Sequence, residues 1–541
     1  MGSPTARYLI ASASGILSHW TYFIHGEHDL AAARIATCHL SAFIFVVATE
    51  LQLYDVSLRS AAERGLNLGI AYLAGLFTSI IFFRLFLSPL RHINGPLRLK
   101  ITKLTHVWDM AFNQNCKLLE ELRKQYGDVV RTGPNEVTIF GAEAFHKVHG
   151  PESTCSRAAY YDLLHPMVSL DTTRDSAIHS HRRRIWDQAF SIKDEALDTA
   201  VPLVYEHAEK LNAELAKRTN DPLDISVWLE YYTFDLMGLF GLTVDFGNLT
   251  KGEHPILALY HMAHKKLGPL AAAPWIKHLL MGIPYIERMK YYRQFMDWAH
   301  AELERNIQMN KEARKNVIGY VVDDAMSNGG LRANWNFVLG DFILVIVAGS
   351  DPVRQVLANM LYYLTVHPEH LATIRTELAT IDLHNYKALQ QCSHLNASIY
   401  ETLRLNPAVP SSGLRLPPKG GLVIQGTFIP EGTTIVTPQY SILRDARNFL
   451  SPEAFIPERF TSKPDLIINK LAFVPWSTGK MACLGKNLSL MEIRVAAALL
   501  LTSFDFDFAP GEDGTRMFTK ATDYFTTTPG PLNLVLKNRI P

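Results

Sequence analysis

Residues 473–494 read Phe-Val-Pro-Trp-Ser-Thr-Gly-Lys-Met-Ala-Cys-Leu-Gly-Lys-Asn-Leu-Ser-Leu-Met-Glu-Ile-Arg, and they constrain this chain more than any other stretch. One cysteine, Cys483, stands between Gly479 and Gly485. Pro475 and Gly479 mark an irregular loop. From Leu484 onward, Leu488, Met491, Val495 and Leu499 recur at helical spacing and predict an amphipathic helix. Cys483 then sits at a helix N-terminus, where the dipole and free backbone N–H groups favour a thiolate. The two glycines let backbone approach something flat and bulky. The simpler reading of a lone cysteine after a turn is a core residue.

A thiolate held by backbone against a flat ligand is the arrangement of haem ligation. Trp476-Ser-Thr-Gly479-x-x-x-Cys483-x-Gly485 resembles the haem-binding loop of the cytochromes P-450, with Trp at the usual Phe position. The resemblance implies a mainly α fold with a smaller β region. It also implies haem b as cofactor, its iron ligated by the Cys483 thiolate, and Trp476, Gly479 and Gly485 against it. Met481 departs from the pattern: the family has an Arg there, facing a haem propionate. Lys480 is the neighbouring substitute.

Other segments carry the same resemblance. His179-Ser-His-Arg-Arg-Arg-Ile-Trp-Asp-Gln-Ala-Phe-Ser191 is a basic helical run, which alone reads as a solvated face. Aligned on Ala189-Phe190-Ser191, the family's propionate-binding Trp and Arg fall on His179 and Arg183, both able to donate to a carboxylate. The other basic residues are then free to meet an acidic reductase, and residues 158–178 become a substrate-facing loop. Glu401-x-x-Arg404 puts both side chains on one helix face, a pairing usually worth little at a surface. Followed by Pro457-Glu-Arg459-Phe460, it resembles the family's buried network, so Glu401, Arg404 and Arg459 are expected as structural support. Arg415 matches a strand Arg that reaches a propionate.

The longest helical pattern covers 334–367 and is apolar nearly all round from Phe337 to Val347, as in a helix buried through a domain. Ala348-Gly-Ser-Asp-Pro-Val353 resembles the family's oxygen-binding helix. Ala348, Gly349 and Asp351 match it and are expected to line the oxygen groove; Pro352 and Val353 replace two threonines. A proline has no N–H for the Ala348 carbonyl and kinks a helix. Ser350 points elsewhere on the helix. Water held by that carbonyl and Asp351 replaces the missing hydroxyl, or the reaction needs less proton delivery.

Three apolar stretches open the chain, at 8–24, 35–53 and 66–87. A spanning helix needs roughly 20 apolar residues, so 66–87 qualifies best. Residues 1–87 read as a membrane anchor of one to three spans rather than a signal peptide, for want of a basic n-region and cleavage site. Arg84, Arg91, Arg98 and Lys100 put the rest of the chain in the cytosol, and three spans put the N-terminus in the lumen. Residues 88–100 form a Pro-containing hinge, and 101–541 the catalytic domain. In this domain 108–126 reads as one helix ending at Gly127. Residues 128–139 read as strands turning at Gly133-Pro134, and 420–434 and 523–531 as hairpins.

A net charge of +1 gives no support for a nucleic-acid partner. Five cysteines without CxxC spacing disfavour a disulfide scaffold or a zinc module and fit a reducing cytosolic face. The resemblance, over about residues 88–541, implies a fungal microsomal monooxygenase of the endoplasmic reticulum membrane acting in secondary metabolism. It would oxygenate a small hydrophobic substrate with O2 and NADPH electrons from cytochrome P-450 reductase; cytochrome b5 is an alternative donor. Two other readings stand beside it. One is desaturation, coupling or rearrangement on the same fold, motivated by Pro352. The other is a haem-binding protein with little turnover.

Overall fold

The computed structural model describes residues 4–190, 200–283, 285–309 and 316–539. Ser191, at the end of the basic run, lies outside them.

Three N-terminal helices form, α1 (Pro4–Ser18), α2 (Ala32–Tyr54) and α3 (Leu58–Phe82), and a π-turn extends the last to Leu87. Asp29–Tyr54 and Leu58–Leu87 are long and apolar enough to cross a membrane. The shorter α1 packs on α3 backbone to backbone. A Cβ on Gly15 would lie 2.1 Å from the Tyr72 carbonyl oxygen, and one on Gly75 2.1 Å from that of Ser12. Such small-residue contacts are how helices associate in lipid. Buried Glu50 pairs with Arg7 and Arg64, which closes the bundle.

The connector after α3 is fastened down. Arg131, fully buried, donates to the Arg84 and Pro134 carbonyls (3.0 and 2.7 Å) and to Ser88 Oγ (3.2 Å). The expected helix over 108–126 is two, α4 (Leu104–Phe112) and α5 (Asn115–Tyr126). Asn113 and Gln114 are extended between them, and His106 Nε2 meets the Asn115 side chain at 2.8 Å across the break.

A five-stranded sheet follows the order β1 (Val129–Gly133), β2 (Glu136–Ile139), β8 (Thr434–Val436), β5 (Arg415–Leu416), β3 (Ser156–Arg157). In its last pair Arg157 lies directly opposite Arg415. The expected hairpins are β6 (Leu422–Ile424) with β7 (Thr427–Ile429), and β10 (Thr522–Asp523) with β11 (Thr527–Thr528).

The remaining bulk is helical. α6 (Ser176–Ala189) carries the basic run, and α7 (Ile225–Met237) and α8 (Pro255–Leu267) flank the 36-residue α9 (Leu331–Val366). α9 is also long and apolar enough to span a membrane, but most of it is buried inside the protein. Its Asp341 is held by Arg182, by Trp186 Nε1 (2.9 Å) and by the Leu170 N–H (2.6 Å). The basic run is therefore no solvated face: Arg182 is buried, His181 pairs with Asp324, and only Arg184 among its arginines is exposed. After α10 (Pro368–Leu378) and α11 (Ser393–Leu405), the last long helix, α12, is Lys486–Ser503. It starts two residues later than the periodicity suggests, because Leu484 and Gly485 belong to the turn that leaves Cys483.

Candidate active site

The loop before α12 is built by Gly479. Its φ is +69°, and a Cβ there would lie 2.5 Å from the His149 carbonyl oxygen. The Cys483 N–H closes the loop on the Trp476 carbonyl at 2.8 Å. Gly485 has an ordinary φ of −77° and a Cβ there would touch nothing within 4 Å, so the protein itself does not require glycine. Cys483 is exposed, yet the protein packed around it raises its thiol above the ordinary value. The N–H groups of Gly485 and Lys486 and the charge of Arg183 act in the opposite sense. The helix-terminus effect expected from the sequence is present, but desolvation outweighs it; a cation at the sulfur reverses that balance.

Basic groups converge beside this loop. His179 on α6 is buried, and its pKa falls to about 4 through burial and the charges of Arg157, Arg183 and Arg415. Arg183, one turn on, donates to the Ala482 carbonyl at 2.8 Å and pairs with Asp187. Arg415 is buried and donates to Tyr161 Oη at 2.9 Å. Arg157, also buried, donates to the Thr173 carbonyl at 2.6 Å and stands 3.7 Å from Asp171. Its Nε has no partner. Like charges directly opposite in a sheet repel, and buried ones do so strongly. The set His179, Arg183, Arg415 and Arg157 fits an anionic ligand such as haem carboxylates. Sequence reading missed Arg157 because the signal is its place across the strand pair. Lys480, the expected stand-in for the arginine missing at Met481, is exposed.

On α9 the three expected groove residues separate. Ala348 is exposed although the helix around it is buried, and Leu344 and Pro352, one turn away on either side, are partly open. Positions four apart share a helix face. Gly349 turns instead to α7, where its Cβ would meet the Met237 side chain, and Ser350 donates to the Thr233 carbonyl at 3.3 Å. Asp351 is buried and accepts from Tyr260 Oη of α8 at 2.5 Å. The open face is thus Ala348 and Pro352, with Gly349 and Asp351 behind it. Pro352 sits inside a continuous helix, and it offers no N–H to the Ala348 carbonyl.

Glu401, Arg404 and Arg459 come together with no exposure at all. Glu401 is bridged to Arg404 at 2.7 Å and to Arg459 at 3.0 Å, and the two guanidinium groups also hold the Leu443, Pro452, Ala454 and Ser451 carbonyls. The network ties α11 to the segment leading into the Cys483 loop.

The cytochrome P450 family profile matches residues 95–536. Cytochrome P450 monooxygenase notG' of Aspergillus versicolor is 33% identical, over 98% of this chain and 98% of its own. Tryprostatin B 6-hydroxylase of Aspergillus fumigatus is 31% identical, over 98% and 96%. Cytochrome P450 monooxygenase FCK2 of Fusarium pseudograminearum is 33% identical, over 99% and 98%. A cysteine loop closed on the Trp476 carbonyl, a basic set suited to carboxylates and this breadth of similarity agree: the chain belongs to the cytochrome P450 family of haem-thiolate monooxygenases.

Proposed function

We propose that this enzyme inserts one oxygen atom of O2 into a small hydrophobic substrate of fungal secondary metabolism, with NADPH electrons from a flavoprotein reductase at the endoplasmic reticulum membrane. The observation that carries the reading is an exposed Cys483, on a loop held to Arg183, beside a buried, like-charged pair, Arg157 and Arg415. Haem b, when bound through Cys483, supplies O2 activation. Arg157, Arg415, His179 and Arg183 hold its carboxylates; Arg157 takes the part of the arginine missing at 481. Trp476 and Gly479 shape the cysteine loop, and Gly485 leaves room for a flat group. Glu401, Arg404 and Arg459 hold the loop in register.

Proton supply uses this chain's own arrangement. The Ala348 carbonyl, to which Pro352 offers no N–H, holds water on the open face. Asp351 and Tyr260 stand one residue behind it as a hydrogen-bonded pair. Hydroxylation by the Aspergillus fumigatus relative supports oxygen insertion as the reaction class.

The test is a mass comparison. The metabolite that accumulates when the gene is removed is fed to membranes containing the protein, reductase, NADPH and labelled O2. A product heavier by one labelled oxygen is expected. A product of equal mass, or lighter by two hydrogens, replaces this reading with rearrangement, coupling or desaturation. NADPH consumption unchanged by substrate replaces it with a haem-binding protein of little turnover. Pro352→Thr separates the two accounts of proton supply: a large gain in product per NADPH contradicts the water relay.

A further inference from the structure

Two buried imidazoles meet far from any role in the site above. His370 lies in the first turn of α10 and His394 in the first turn of α11. Glu458 lies in the 3-10 turn Pro457–Phe460. His370 Nδ1 is 3.1 Å from His394 Nε2 and 3.7 Å from Glu458 Oε1, and one ligand atom from each residue falls within 4.8 Å of the others.

We propose that His370, His394 and Glu458 bind a divalent transition-metal ion, zinc by preference, at a site separate from the haem. Zinc holds imidazole nitrogens at about 2.0–2.1 Å in a tetrahedron, which puts ligand atoms about 3.3–3.4 Å apart. The two measured separations bracket that spacing. Two nitrogens and one carboxylate oxygen suit zinc, copper or nickel better than magnesium or calcium. Glu458 is partly exposed, so water reaches the fourth position.

The surroundings hold the rings. Phe455 meets the His370 ring edge-on at 5.6 Å and is itself stacked on Tyr363 at 4.6 Å. Glu377 accepts from the N–H groups of His394 and Leu395 at 2.8 and 3.1 Å, which fixes the start of α11. Without metal, one imidazole donates its N–H to the other. On binding, that proton moves to the far nitrogen of the same ring and both facing lone pairs turn to the ion. Metal binding would clamp α10, α11 and the turn whose Arg459 pairs with Glu401.

The experiment uses full-length protein in detergent, stripped with a chelator, given equimolar zinc chloride and desalted before elemental analysis. Wild type retains one zinc ion per chain. His394→Gln and Glu458→Gln each retain less than a tenth of that, and His384→Gln, at an exposed histidine, retains it in full. Zinc-edge X-ray absorption of wild type, which needs no variant to fold, reads nitrogen and oxygen neighbours. No retained zinc in wild type, equal retention in the variants, or sulfur neighbours at the zinc each overturn the proposal and leave a plain His–His hydrogen bond.

Discussion

Two arginines placed opposite each other in neighbouring strands cost free energy unless an anion lies between them. Arg157 and Arg415 therefore belong to the holoprotein's balance of charge. Arg157→Met and Arg415→Met are each expected to lower haem retention after gel filtration several-fold at unchanged expression; full retention would remove them from the carboxylate site. Arg415 was legible because its neighbours follow a pattern along the chain. Arg157 was not, because only the pairing of β3 with β5 gives it meaning. Arg182 was hidden for a similar reason, though Asp341 in an otherwise apolar helix was a sign that a buried partner was needed. A share of the acid stability comes from buried His106, whose pKa, like that of His179, falls to about 4, here through burial and Lys103. Between its unfolded value of about 6.5 and 4, the unfolded chain binds the extra proton. Stability is thus full above pH 6.5 and lost as pH falls towards 4. His106→Gln should lessen the fall of the thermal midpoint over that window; an unchanged slope would contradict it.

At the scale of elements, α9 and the Glu401 network decide what the fold tolerates. A Cβ on Gly340 would lie 2.3 Å from the Val168 carbonyl oxygen, a backbone atom, whereas one on Gly349 meets the flexible end of Met237. Gly340→Ala should lower the thermal midpoint sharply and Gly349→Ala little, and a calorimeter distinguishes them. Glu401→Gln leaves two buried guanidinium groups short of a charge, a loss of about 3–5 kcal/mol for a broken buried pair. Denaturant titration of that variant should register a loss of this size, with less haem bound. The extent of α9 could be read from its unbroken apolar run. Which side faces the open space could not, because that depends on where α7 and α8 pack. The break at Asn113 was equally hidden, since apolar residues continue on both sides and the His106–Asn115 contact is tertiary.

For the whole molecule, the loop between α1 and α2 touches the catalytic body: Glu27 pairs with Arg174 at 2.7 Å and Asp29 accepts from the Trp275 N–H at 3.2 Å. The end of α3 enters the same body through Arg131. Both helix ends thus lie on one side, as α2 and α3 crossing as a pair requires; the proposed third crossing, by α1, puts the N-terminus across the membrane. A tag at the N-terminus should resist protease in sealed microsomes and be cut once they are opened; cleavage in sealed vesicles would contradict that topology. The family was legible because its loop, its Glu401–Arg404 helix and its Pro457–Phe460 turn are local patterns in fixed order. The substrate was not, because the helices between α6 and α9 carry no such pattern. The measurement that bears most directly on the account is the absorption of the reduced protein with carbon monoxide, in wild type and in Cys483→Ser. The account predicts a thiolate-type spectrum that Cys483→Ser alone abolishes, with Ser at positions 116, 155 and 392 preserving it. A thiolate-type spectrum that survives in Cys483→Ser would contradict it.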